Sequence, residues 1–223
     1  VVGYSVPVRK RLTLDELRPH LHTLPDRPEW IPYRTAYYSD DWGFCLTQRT
    51  LEALPEGEYE VCIDSTLDAG HLTYGELLIP GRDEGELLIH THVCHPSMCN
   101  DNLSGIAVAA FLARRLIESD NRYSHRFLFL PGTIGAITWL ARNEKLLGGV
   151  RGGLVLSNAG DAGSLTYKCS RQGSAAVDRA ARLVLSHQPG GGRVVDYVPF
   201  GYDERQYCSP GIDLPVGCLS RSS

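Results

Sequence analysis

Residues 85–118, GELLIHTHVCHPSMCNDNLSGIAVAAFLARRLIE, limit the possible folds more than any other stretch of the chain. Glu86 to His92 is a short, nearly continuous apolar run, the pattern of a strand buried on both faces. Ser104 to Ile117 carries Ile106, Val108, Ala109, Leu112 and Leu116 at helical spacing. A buried strand that feeds a helix needs strands on both sides of it and a crossover back to the sheet, which points to an α/β fold. The loop between the two elements holds His92, Cys94, His95, Asn100, Asp101 and Asn102. Open α/β sheets place their ligands outside the carboxyl ends of the strands, so this loop is the first candidate for a site.

The alternation continues downstream. Strands are expected over Tyr59–Ile63, Leu72–Ile79, Arg126–Leu130, Gly152–Leu156, Leu165–Cys169, Val194–Val198 and Ile212–Leu219. Helices are expected over Thr133–Arg142 and over Ser174–Ser186, the second capped by Ser174. Together these predict a mostly parallel sheet flanked by helices. Upstream, Val1–Val8 reads as a strand. Thr13 and Glu16 form a capping box opening a helix over Leu14–Leu24. A Pro- and aromatic-rich connection and a strand at Phe44–Leu46 follow. The expected division is a small β-rich lobe over residues 1–57 and an α/β domain over 58–223.

Net charge is −4 over 223 residues, and no basic patch argues for nucleic acid. Arg9-Lys10-Arg11 reads as a solvated turn. No run approaches the roughly 18 apolar residues of a membrane span. Seven cysteines are scattered without a CxxC pair, which predicts mostly buried thiols in a reducing, cytoplasmic setting. The chain opens on Val1-Val2-Gly3-Tyr4 and closes just after an apolar run, so a piece of a longer protein is expected.

A hydrolytic zinc site needs rigid nitrogen and carboxylate ligands and an open position. His95 and Asp101 are the obvious pair here. The alternative is that Asp101 or Asn102 only caps the following helix. Asp161 could supply another ligand at a strand end, or could stabilise a turn. His20 and His22 lack the i, i+4 spacing of helical ligands. Cys94 and His95 are sequence neighbours and would point apart in a strand, which argues against a thiol nucleophile.

Asn100-Asp101-Asn102-Leu103-Ser104-Gly105 resembles the signature of co-catalytic zinc aminopeptidases. VVGYSVPV, LTYGELLIPG, CHPSMCNDNLSG, TIGAI and DERQYCSPGIDLP are more closely similar to a bacterial aminopeptidase-like family associated with surface-polysaccharide biosynthesis. The resemblance implies a zinc-peptidase fold with a small β insert, one or two zinc ions, and a peptide, aminoacyl or amino-sugar substrate. It implies that Asp101 bridges metals, and leaves His92 and His95 competing for the first histidine position, the Cys94-His95-Pro96 context favouring His95. It puts Asp203 and Glu204 beside the site, where they would place substrate; a surface salt-bridge loop is the alternative. It also marks two departures. Gly132 stands where the resembling enzymes carry a general-base glutamate, and their late histidine ligand would follow residue 223. The implied activity is a zinc-dependent hydrolase of peptide or amide bonds, with a non-catalytic binding relative as the alternative.

Overall fold

The structure, a computed structural model, describes residues 1–95, 98–201 and 203–221. Pro96 and Ser97 of the Cys94–Met98 motif, Tyr202, and the last two serines lie outside the described residues. The chain divides into two compact units, Val1–His71 and Leu72–Ser223.

In the first unit, β1 (Val8–Thr13) runs straight into α1 (Leu14–Leu17). Thr13 and Glu16 form the expected capping box, with the Thr13 N–H donating to Glu16 at 2.8 Å. The helix is far shorter than the Leu14–Leu24 expected. Pro19 has no N–H for a helical ladder and disfavours helical backbone before it, so the chain tightens into a 3-10 turn at Arg18–His20. It then enters β2 (Leu21–His22), which pairs in parallel with β3 (Phe44–Cys45). After α2 (Gln48–Glu52), β4 (Glu58–Ile63) pairs antiparallel with β1, Val8 opposite Ile63. That pairing explains why the unit extends past residue 57: β4 completes the small sheet of the first unit. It also puts Arg9-Lys10-Arg11 in a strand, and the expected Val1–Val8 strand begins only at Val8. Val8, Leu17, Trp42, Val61 and Ile63 form this unit's core.

The second unit is built on β5 (Gly75–Ile79), β6 (Glu86–His92), α3 (Gly105–Ile117), β7 (Ser124–Leu130), α4 (Ile134–Arg142) and β8 (Val150–Leu156). It continues with β9 (Thr166–Lys168), α5 (Ala176–Ser186), β10 (Arg193–Val195), α6 (Glu204–Tyr207) and β11 (Val216–Ser220). One seven-stranded sheet has the order β10-β9-β11-β8-β6-β7-β5. The β11, β8, β6 and β7 strands are parallel. On one side the edge strand β5 is antiparallel to β7; on the other β9 is antiparallel to β11, with the edge strand β10 parallel to β9. The predicted mostly parallel α/β sheet is thus what forms.

Side-chain alternation along β6 assigns its two faces. Leu88 packs with Trp139, Leu140 and Tyr207 on the α4 and α6 side. Ile89 packs with Ala109, Ala113 and Phe127 on the α3 side. By the same alternation His90 belongs to the α4 and α6 face and Thr91 to the α3 face. At the start of α5, Ser174 is not the cap. The buried carboxylate of Asp178 accepts the Ala175 N–H at 3.0 Å instead.

Candidate functional site

The chain after β6 passes into α3 and then β7 on one side of β6, whereas β8 leads toward β11 on the other side. The β6 and β8 ends therefore flank a switch point, the place where an open α/β sheet leaves a crevice. The polar loop after β6 lies there.

Asn102 organises this loop. It is fully buried, and its side-chain Nδ2 lies 2.8 Å from Thr91 Oγ1 and 3.2 Å from the Leu156 carbonyl. Its Oδ1 accepts the Asn158 N–H at 3.1 Å, tying the loop after β6 to the loop after β8. Asn102 thus anchors two strands, and Ser104, at the start of α3, makes no side-chain capping bond to the helix. Gly105 permits this close approach: a Cβ there would lie 2.6 Å from both Asn102 Oδ1 and the Leu156 carbonyl.

Asp101, joined to Asn102 by a cis peptide bond, faces two histidines. His92 Nε2 is 2.7 Å from Asp101 Oδ1, and His95 Nε2 is 3.5 Å from Asp101 Oδ2. His92 is wholly buried at the end of β6, whereas His95 is partly exposed. Both of the competing histidines therefore reach the same carboxylate, one on each oxygen. His92 Nδ1 is 3.3 Å from Asn102 Nδ2. When it accepts that amide proton, Nε2 carries the ring proton and donates to Asp101.

Two ligands of a tetrahedral zinc ion, each about 2.0–2.1 Å from the metal, stand roughly 3.4 Å apart. The His95 to Asp101 separation of 3.5 Å meets that requirement. The His92 to Asp101 separation of 2.7 Å is that of a hydrogen bond, which must open for His92 to join the same ion. Among the described residues, no three His, Cys, Asp or Glu side chains are grouped to hold one metal. The donor types fit zinc, and the placement fits two ligands.

Asp161 is near this loop, but its oxygens are engaged. Asn100 Nδ2 donates to Oδ2 at 2.9 Å and the Gly163 N–H donates to Oδ1 at 2.6 Å, the second being a turn bond. Cys94 is a surface residue beside His95, yet partial desolvation of its sulfur, and then the Asp101 and Asp203 carboxylates, push its thiol above the usual range, so it is not poised as a thiolate.

Asp203 and Glu204 are both buried, at 0% and 2% exposure. Neither is a surface salt-bridge residue. Asp203 Oδ1 accepts the Thr133 N–H at 2.8 Å, and Oδ2 lies 3.3 Å from His90 Nε2. The Tyr207 hydroxyl is 2.6 Å from His90 Nδ1. Burial keeps that phenol protonated, so it donates to Nδ1 and leaves the ring proton on Nε2, facing Asp203. Burial pushes the Asp203 carboxyl up. The hydrogen bonds from the His90 ring and the Thr133 N–H outweigh burial and hold it below its ordinary range.

Thr133 has φ 63° and ψ −63°, an uncommon backbone for a β-branched residue. It directly follows Gly132 at the end of β7. Asp203, faced by His90 on its other oxygen, therefore fixes the turn that contains Gly132. The sequence reading missed His90, although its parity with Leu88 on β6 marks it as an inward-facing polar group. Glu204 pairs with Lys168, whose ammonium also donates to the Phe200 carbonyl at 2.5 Å.

Sheet order and site position together define an aminopeptidase-like α/β domain. The aminopeptidase of Aneurinibacillus sp. strain AM-1 shares this fold, with a TM-score of 0.56 at 18% identity over 67% of this chain and 39% of its own. The chain belongs to the family described as Domain of unknown function (DUF4910), whose model matches residues 1–223. A Clostridium acetobutylicum protein, provisionally named a polysaccharide biosynthesis protein with aminopeptidase-like domain, is 53% identical over 222 residues. Those residues are 100% of this chain and 51% of that protein, so the chain spans about half the length of its curated relative. A crystal structure from C. acetobutylicum, provisionally called a peptidase, has a TM-score of 0.95 and 52% identity, covering 99% of this chain and 52% of its own. No helix among the described residues is long and apolar enough to cross a membrane.

Proposed function

We propose that the chain carries one wall of a zinc-dependent hydrolase site acting on peptide or amide bonds, within a longer protein. One observation carries this reading: two histidine Nε2 atoms face the two oxygens of Asp101 at the switch point of an aminopeptidase-like sheet. His95 and Asp101 would hold the ion, with His92 joining as its bond to Asp101 opens. Asp161 would join from the loop after β8 only by releasing its turn. Zinc there would polarise the scissile carbonyl and lower the pKa of a water. Asn102 holds the loop rigid from behind. Asp203, sealed from solvent, would act on substrate placement indirectly, through Thr133.

The names of the C. acetobutylicum relatives support a peptide or aminoacyl substrate and a role in polysaccharide assembly. The test is zinc content and turnover of the full-length protein. Zinc near stoichiometric, lost in Asp101→Ala, with chelator-sensitive release of an aminoacyl reporter, is the expected result. Zinc content unchanged by Asp101→Ala would sink the assignment.

Gly132 favours a second reading, a non-catalytic relative that binds such a ligand without cleaving it. It has no side chain to take a proton from the attacking water, the step a glutamate would perform. Bound zinc and ligand with no turnover supports this reading. A rise in turnover in Gly132→Glu identifies the missing base as the lesion.

A further inference from the structure

A cavity of about 400 Å³ opens at the carboxyl ends of β8 and β11. Its walls are mostly apolar, with Val195, Val198, Phe200 and Cys218 among them. Asn158 lines it, and the Asn158 N–H is bonded to Asn102, the residue next to Asp101. At the other end it is bounded by Glu204, the residue next to Asp203. One pair, Asn158 and Asn102, therefore joins the cavity to the candidate metal loop, and the other, Glu204 and Asp203, joins it to the 131–133 turn, which places the cavity where it can receive a group attached to the reacting atom.

Its charges select what that group is. Lys168 and Arg193 line the cavity together with the single acid Glu204, an excess of one positive charge. Glu204 is spent on Lys168 and is 2% exposed, whereas the Lys168 side chain is 15% exposed. The ammonium has three donors, and Glu204 and the Phe200 carbonyl engage two of them. Arg193 lies at the exposed rim, and no acidic partner pairs with it among the described residues. A cationic side chain entering here would meet a net positive charge. A purely apolar one would bury the ammonium without returning a hydrogen bond, which is unfavourable. A carboxylate on a short apolar stem answers both, its stem against Val195, Val198 and Phe200 and its charge between Lys168 and Arg193.

We infer that this pocket binds the side chain of the substrate residue at the cleaved bond and selects an acidic one of glutamate type. The inference rests on the hydrolase reading for its place in the reaction, but not for its ligand chemistry. The experiment therefore has two arms on the full-length protein. In the first, calorimetry on chelator-treated protein compares L-glutamate with its neutral isostere L-glutamine. Glutamate is expected to bind at least about tenfold tighter, some 1.4 kcal/mol, and Arg193→Met should reduce that preference severalfold. Equal affinities, binding of neither, or a preference untouched by Arg193→Met overturns the inference. Arg193 is chosen because it is exposed and its loss leaves no buried charge. In the second arm, zinc-loaded protein is offered glutamyl and glutaminyl coumarin amides. Selective glutamate binding with neither amide cleaved upholds the pocket and counts against the hydrolase. Cleavage of both amides at equal rates upholds the hydrolase and overturns the pocket.

Discussion

Substituting Gly105 with alanine tests the way the loop is held against the sheet. Gly105 has ordinary helical dihedrals, φ −63° and ψ −41°, so backbone strain does not enter. The obstacle is space. An added Cβ would lie 2.6 Å from Asn102 Oδ1, 2.6 Å from the Leu156 carbonyl and 2.7 Å from Thr91 Oγ1. Each is short of ordinary contact by roughly 0.8–0.9 Å. None is the free end of a flexible side chain, since two are buried polar atoms in the loop's own hydrogen bonds and one is strand backbone. Overpacking of this kind costs about 1–3 kcal/mol, and disturbing the Asn102 bonds adds about 1 kcal/mol each. The gain in helix propensity on replacing glycine returns at most about 1 kcal/mol. A net loss of about 2–3 kcal/mol is expected, or roughly 5–10 °C in the midpoint for a domain of this size. The control is Gly148→Ala, where a Cβ meets nothing within 4 Å. Thermal unfolding gives the midpoint. Amide exchange gives the local readout, because Asn158 loses protection when Asn102 shifts. Equal midpoints for the two variants, with Asn158 equally protected, would refute the reasoning.

Asp203→Asn should loosen the 131–133 turn and cost about 1–3 kcal/mol, read by chemical denaturation, because the buried charged acceptor of the Thr133 N–H and the His90 ring is removed. The Asp203 carboxyl is depressed in the folded state, so its contribution is present above the unfolded value of about 3.9 and fades as pH falls through the folded value. The gap between wild type and Asp203→Asn should therefore shrink below about pH 4; a gap that widens there contradicts the pairing. Asp178→Ala removes an acceptor shared by the Tyr167 hydroxyl and the Ser170 N–H, both at 2.8–2.9 Å, and by Ala175 N–H at 3.0 Å. It should cost about 3 kcal/mol or more by the same assay. In native thiol titration the exposed Cys62 and Cys99 should react first. Cys169 and Cys208 should react only on unfolding, since both are buried and burial raises both thiols; prompt labelling of either would contradict their burial.

The α/β core was legible because strands buried on both faces leave continuous apolar runs, as β6 does, and α3 leaves a clean helical period. Less was legible where one residue overrides a pattern. Pro19 ended a helix whose leucines kept the right spacing to Leu24. The Arg9–Arg11 run looked like a turn because the antiparallel partner that makes it a strand lies some fifty residues on, at β4. Thiol burial was also misjudged, since Cys62, Cys94 and Cys99 are exposed. At the site, sequence pointed to Asp101 and both histidines. It gave no sign of Asn102's bond across to Asn158, because that contact depends on where β8 ends. Asp203 and Glu204 were marked out by motif. Their burial follows from α6 packing under the sheet, which no local pattern records.

The adjacency of Asp203 and Glu204 has a consequence for how such a domain can diverge. Lys168 cannot be replaced alone without stranding the Glu204 carboxylate in the interior, and Glu204 cannot change without doing the same to Lys168. Glu204 is also the next residue to the anchor of the 131–133 turn, so repairs there disturb a second region. Variation in what the cavity accepts is therefore channelled to Arg193, the lining cation whose loss strands no buried charge. Descendants of one ancestral sequence should differ at that rim position long before they differ at the pair beneath it.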